Sequence, residues 1–510
     1  MTGLFLAAAV SVSTPADPEY RAALELVYDG AFHAAEHSLA ALADAHPDDP
    51  VGAYLLALAL CWRLEQRPES TELDRDLLRR VDRALALAST RLARDPDDAR
   101  ARLGRAAAHA VRSRYLMFRG KRSAAARDAV TMREELTEML ARGAESKDAL
   151  FGLGLYDYYA DVLPRFARFL RFLAGMPRGD RARGLQRIEE ATTAGTLFHG
   201  TEARVQLYEI YAFSEDKPDR ALEQVSVLRA RHPGWPLWGL KLAEHLRDRL
   251  GLYARSADVA WGILETAEGG RHPNYQPVVA ALARVSWGES LLLDLRFAEA
   301  REVLFPAREG SPDAPTLAGK ACFLLGRSLE LAGDRNAAVA YYHLAASSPD
   351  RELGRAARRA LDAPVPPTEV RALPLLARAR RRREQGQEHE AAELCREALS
   401  IWPRSREAAL FVAAEHVEQG RLETAEMLLA PLLRDQDLSP PWLRPWSRLI
   451  DAELRERKGE REGALRQYKR VFEEPYGQPG LQRRAAAGLH RLAARTDACA
   501  GAPASDKYSK

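Results

Sequence analysis

An interval of twelve residues, repeated along the chain, limits what this sequence can fold into more than any single residue does. Ala35 and Pro47, Ala84 and Pro96, Ala221 and Pro233, Ala300 and Pro312, and Ala391 and Pro403 each stand twelve apart. A second interval of twelve leads into the same alanines: Ala23 to Ala35, Gly288 to Ala300, Gly326 to Ala338, Ala379 to Ala391, Ala413 to Ala425 and Ala452 to Ala464. Residues at that offset face each other across two helices joined by a short turn. Small side chains there let the backbones approach closely. The proline then ends the second helix, because it has no N–H to donate and its ring clashes with the preceding turn. A chain built this way stacks helix pairs, each burying its apolar face only against its neighbours.

Composition agrees with a helical stack. Of 510 residues, 46% are hydrophobic, enough for a continuous core. Alanine, leucine, arginine and glutamate dominate, and all are strong helix formers. Lys and Arg number 75 against 72 Asp and Glu, a net charge of +3, so the balance does not call for nucleic acid. Cys61, Cys322, Cys395 and Cys499 form no CxxC pair and have no histidines at ligand spacing, which reads as buried, inert thiols.

The small–alanine–proline skeleton resembles the tetratricopeptide repeat, a helix–turn–helix unit of about 34 residues. The expected fold is therefore all-α: a tetratricopeptide-repeat right-handed superhelix, or α-solenoid, of antiparallel helix pairs. Its packing positions include Ala35, Gly288, Ala300, Gly326, Ala338, Ala379, Ala391, Ala425 and Ala464. An N-terminal superhelix is expected over 17–361, with an aromatic, degenerate stretch at 146–195. A proline-rich linker at 362–370 precedes a C-terminal array at 371–495 with a capping helix, and 496–510 forms a disordered tail. Residues 1–16, with apolar Leu4–Val12, read as a compact signal peptide cut after Ala16, which favours an exported or periplasmic chain. The absence of Lys or Arg ahead of that run favours the cytoplasmic alternative.

One segment is less generic. Gly152, Gly154, Tyr156, Leu163-Pro164, Gly175, Gly179-Asp180-Arg181 and Gly184-Leu185 occur in that order. The stretch is similar to the central motif of the family that contains the inclusion-body clearance proteins and tetratricopeptide repeat protein 39. The chain would be a distant bacterial relative, with departures at Asp157, Ala160–Val162 and Met176-Pro177. The resemblance implies an interaction protein linked to lipid or aggregate handling; it does not imply an active site. Read from its residues, Phe166, Phe169 and Phe172 form an apolar face with Arg165 and Arg168 on its flank. That face either packs inside the superhelix or docks on a membrane surface as a peripheral contact.

No P-loop, zinc-protease or nucleophile-elbow pattern is present, so no catalytic residue, cofactor or metal ligand is assigned and a non-enzyme is expected. The expected role is a scaffold or adaptor holding a peptide or amphipathic helix of a protein partner in its groove; the alternative is a peripheral membrane or lipid-associated adaptor acting through 156–173. The repeat register points Leu376, Arg380 and Arg383 into that groove, along with Phe323 and Arg327 of an earlier unit. The basic run Arg378, Arg380–Arg383 reads either as a solvated helix face or as a patch for an acidic peptide or phosphate. The oligomeric state and the partner's identity are not written in the sequence.

Overall fold

The computed structural model describes residues 12–66, 70–162, 177–193, 196–270, 272–275, 277–309, 315–435, 438–474 and 479–500. Arg165, Phe166, Arg168, Phe169 and Phe172 lie outside the described residues, as does the apolar run before Val12. Among the described residues there are 24 α-helices and no strand. The chain divides into two compact units: residues 1–210 with 224–235, and 211–223 with 236–510.

The first unit contains α1 (Asp17–Tyr28), α2 (Phe32–Ala45), α3 (Pro50–Glu65), α4 (Asp74–Arg94), α5 (Ala99–Phe118), α6 (Arg122–Ala141), α7 (Lys147–Val162), α8 (Arg181–Ala191) and α9 (Gly200–Glu209). Helix α10 (Pro218–Arg231) is divided between the units. The second contains α11 (Pro236–Glu244), α12 (Tyr253–Glu268), α13 (Pro277–Leu293), α14 (Phe297–Leu304), α15 (Pro315–Leu331), α16 (Arg335–Ala346), α17 (Arg351–Asp362) and α18 (Pro367–Glu384). It continues through α19 (Glu388–Ile401), α20 (Arg406–Glu418), α21 (Leu422–Arg434), α22 (Leu443–Lys458), α23 (Arg461–Glu473) and α24 (Pro479–Ala500). Consecutive helices pack as pairs, and the first helices of successive pairs also touch: α1 on α3, α3 on α5, α13 on α15, α20 on α22.

The small residues sit at these contacts. Ala35, Ala300, Ala338, Ala379, Ala391, Ala425 and Ala464 are each 2% exposed or less. A Cβ on Gly288 would lie 2.3 Å from Leu304 Cγ, and one on Gly326 2.7 Å from Tyr342 Cε1. The turns at Gly386, Gly420 and Gly459 have φ of 74°, 75° and 78°, a left-handed conformation that glycine adopts without a Cβ clash.

The aromatic segment also forms a tight helix pair. A Cβ on Gly184 of α8 would lie 2.5 Å from the Tyr158 backbone N and 2.8 Å from the Gly154 carbonyl, so α7 and α8 cross backbone to backbone. Asp180 caps α8 by accepting the Arg183 N–H at 3.0 Å. Buried Asp157 ties the crossing with Arg183 at 3.0 Å and Arg187 at 2.7 Å. These contacts give Gly154 and Gly184 a steric reason of their own.

Two expected boundaries fall differently. The proline-rich stretch shrinks to residues 363–366, because Pro367 opens α18 at a position whose N–H has no helical partner. The stretch is also tied down: buried Glu330 accepts the Val365 N–H at 3.2 Å and the Tyr342 hydroxyl at 2.7 Å. One apolar cluster runs from Tyr253 to Leu454 across it, so the core continues where a linker was expected. At the other end, the expected cut after Ala16 falls inside folded structure. Val12 is buried, its carbonyl accepts Arg100 Nη1 at 3.0 Å, and the Thr14 N–H donates to Asp17 at 2.8 Å. Arg100 in turn pairs with Asp17 at 2.8 Å and Asp49 at 2.7 Å.

Candidate functional site: the inner helix faces

In a stack of helix pairs, the first helix of each pair lines the inner face, where a partner segment would lie. In the first unit the protein's own side chains fill that face. Helix α3 is apolar all round and has fourteen of its sixteen residues buried, the signature of a helix surrounded by others. Glu202 of α9, 5% exposed, collects donors from three inner helices. Tyr28 Oη of α1 and Trp62 Nε1 of α3 each donate at 3.0 Å, and Arg114 Nη1 of α5 at 2.7 Å. Arg114 also grips Glu65 through two bonds of 2.7 and 2.9 Å, with its guanidinium 4.4 Å over the Trp62 ring.

A second buried carboxylate holds the turn into α9. Asp148 accepts the N–H groups of Leu197, Phe198 and His199 at 2.7, 2.9 and 2.9 Å, and His199 Nδ1 lies 2.8 Å away. Burial alone would raise its carboxyl, but the His199 interaction and the backbone N–H bonds outweigh that and hold it below the usual range. The same unit brings α9 back to α1: the Thr201 hydroxyl donates to Glu25 at 2.9 Å, and Arg21 Nε to the Leu197 carbonyl at 2.8 Å.

In the second unit the inner face carries charges that pair across neighbouring inner helices. Lys320 of α15 meets Glu289 of α13 at 2.9 Å, Arg380 of α18 meets Glu407 of α20 at 2.7 Å, and Arg484 of α24 meets Glu453 of α22 at 2.7 Å. Arg380 is consumed most completely. It grips both oxygens of Glu407 at 2.7 Å, donates to the Leu293 carbonyl at 2.9 Å, and lies about 6 Å from the Tyr253 and Trp442 rings.

The residues expected to meet a partner therefore separate. Leu376 is core, at 2% exposure. Arg383 lies 3.8 Å over Phe411 and 5.1 Å from Trp446, with Glu388 at 3.3 Å. Phe323 is half-buried against Tyr342, their ring centroids 5.9 Å apart. Lys320 and Arg327, one turn to either side of it on α15, keep 41% and 32% of their side chains exposed. Lys320, Glu407 and Glu202 were not singled out from the sequence. The inner pairs do leave a trace there, in opposite charges 27 to 31 residues apart at inner-face positions.

No protein-family model matches the chain, and no curated protein matches it. Among solved structures it is similar to the APC/C hetero-tetramer Cut9–Hcn1, at 13% identity over 94% of this chain and 91% of that one, TM-score 0.25. It is also similar to Naa15/Naa10 bound to HypK-THB, at 15% identity over 94% and 74%, TM-score 0.23. The P58(IPK) TPR domain matches at 11% identity over 95% and 99%, TM-score 0.24. The chain's own pairing of helices through Gly288–Leu304, Gly326–Tyr342 and the buried alanines carries the assignment. The fold is a helical repeat of the tetratricopeptide type.

Proposed function

We propose that this repeat protein is a non-catalytic scaffold that binds a protein partner, holding a peptide or amphipathic helix against the inner face of α15. The observation that carries this reading is the state of Phe323. It is a half-buried aromatic flanked by the partly exposed cations Lys320 and Arg327, whereas Leu376 and Arg380 farther along are taken up by the protein's own packing. Aromatic and arginine side chains at a partly open, apolar-floored face are what a helix-in-groove contact uses. The likeness to inclusion-body clearance proteins adds nothing to this reading, since part of its motif lies outside the described residues.

The test places a photo-crosslinking phenylalanine analogue at 323 and, separately, at exposed Trp261 on α12. A discrete adduct from position 323, absent from 261 and lost with Arg327→Glu, is expected. Equal labelling from both positions, or none from 323, overturns the assignment.

A further inference from the structure

The basic run on α18 separates in the structure into two kinds of arginine. Arg380 is inside the protein, Arg382 reaches Glu390 and Gln387, and Arg383 lies over Phe411 and Trp446. Arg371, Arg378 and Arg381 are exposed, and their side chains make no hydrogen bond or ion pair with any described residue. Glu299, whose carboxylate feels Arg381 only weakly, is already held by Arg296 at 2.9 Å.

Helical spacing puts these three arginines on one stripe, with exposed Pro374 between the first two. At 100° per residue the stripe spans an arc of about 80°, and at 1.5 Å per residue it runs about 15 Å. Val370 to Arg383 contains no acidic residue, so Arg371 and Arg378 have no carboxylate at i±3 or i±4, and Arg381 has only Glu384 at i+3. A cation in the last turn stabilises a helix through its dipole, which accounts for Arg381 but not for Arg371 or mid-helix Arg378. By contrast, Arg247, Arg380 and Arg484 of this unit are each paired with a carboxylate.

We propose that this stripe is a docking surface for an acidic segment of a protein partner, its carboxylates taken by the three free guanidinium forks. The inference rests on the scaffold reading but uses a different face from Phe323. A protein segment is favoured over nucleic acid because three cations in a chain of net charge +3 supply too few phosphate contacts, and the stripe bears no aromatic ring for base stacking.

The experiment measures fluorescence anisotropy of a fluorescein-labelled peptide of alternating Glu and Ser against the full chain, at about 50 mM and about 300 mM salt. A Gln-for-Glu peptide, a single-stranded oligonucleotide and phosphatidylserine vesicles serve as parallel arms. Arg371→Ala/Arg378→Ala/Arg381→Ala should weaken the Glu peptide about tenfold, as expected for three exposed arginine–carboxylate contacts. The charge-matched control Arg466→Ala/Lys469→Ala/Arg470→Ala should leave binding unchanged. Equal loss in both variants, no binding at the lower salt, or tighter binding of oligonucleotide or vesicles overturns the proposal. None of these outcomes touches the crosslink at 323, so the two readings fail separately.

Discussion

Replacing Glu202 by leucine should destabilise the first unit more than any surface change in it. The carboxylate is 5% exposed and satisfies two neutral donors, the Tyr28 hydroxyl and the Trp62 indole N–H, each at 3.0 Å. Leucine accepts neither, and each buried donor left unpaired costs about 1–3 kcal/mol. Arg114 also loses a 2.7 Å contact, but it keeps its two-bond grip on Glu65 and a quarter of its side chain reaches solvent (24%), so its charge is not stranded. The sum is about 2–6 kcal/mol, with the lower half favoured by that residual pairing. Urea unfolding followed by far-UV circular dichroism reads the loss. Amide hydrogen exchange places it, because Glu202 is where α9 meets α1, α3 and α5, and α1 should lose protection first. Adding Tyr28→Phe removes one stranded donor and should recover about 1 kcal/mol of the cost. A loss under about 1 kcal/mol with unchanged exchange in α1 would refute the claim that this carboxylate joins the inner helices.

Three further substitutions test the local arguments. Gly184→Ala should cost about 2–3 kcal/mol despite alanine's better helix propensity, because its Cβ meets the Tyr158 and Gly154 backbones. Gly262→Ala, with nothing within 4 Å, should instead stabilise by up to about 1 kcal/mol; chemical denaturation of both variants checks the contrast. For Asp128, burial pushes the carboxyl up, but hydrogen bonds from Arg112 and His109 outweigh it and lower its pKa to about 2. A carboxylate depressed in the folded state contributes stability above its unfolded pKa of about 3.9 and loses it as pH falls toward the folded value. Asp128→Asn should therefore cost about 2 kcal/mol at neutral pH and flatten the stability profile between about pH 4 and pH 2, measured by urea midpoints across pH.

The helix pairs could be read from the sequence because their determinants are local. Twelve residues separate Gly288 from Ala300, and the contact that results is a backbone approach only small residues permit. The turn glycines at 386, 420 and 459 and the cap at Asp180 are equally local, and each acts within a few residues of itself. Arg380 shows where local reading stops. Its inner-face register could be derived, but not whether that face would be open. The answer lay with Glu407, the Leu293 carbonyl, Tyr253 and Trp442, which come from four other segments. The proline-rich stretch at 362–370 failed as a boundary for a related reason. Three prolines forbid helix only where an N–H is needed, and Pro367 sits where none is, while Glu330 ties Val365 to the preceding pair.

By itself, then, the sequence determined that the chain folds as stacked helix pairs, and it located turns such as those at Gly386, Gly420 and Gly459. Propensity, caps and the size of facing residues act over one or two helical turns. Only the tertiary structure decided which charges on α18 are spent inside the protein and which stay exposed. Small rotations between successive pairs accumulate until α9 meets α1, or Arg380 meets Trp442, and no single interval in the sequence encodes that sum.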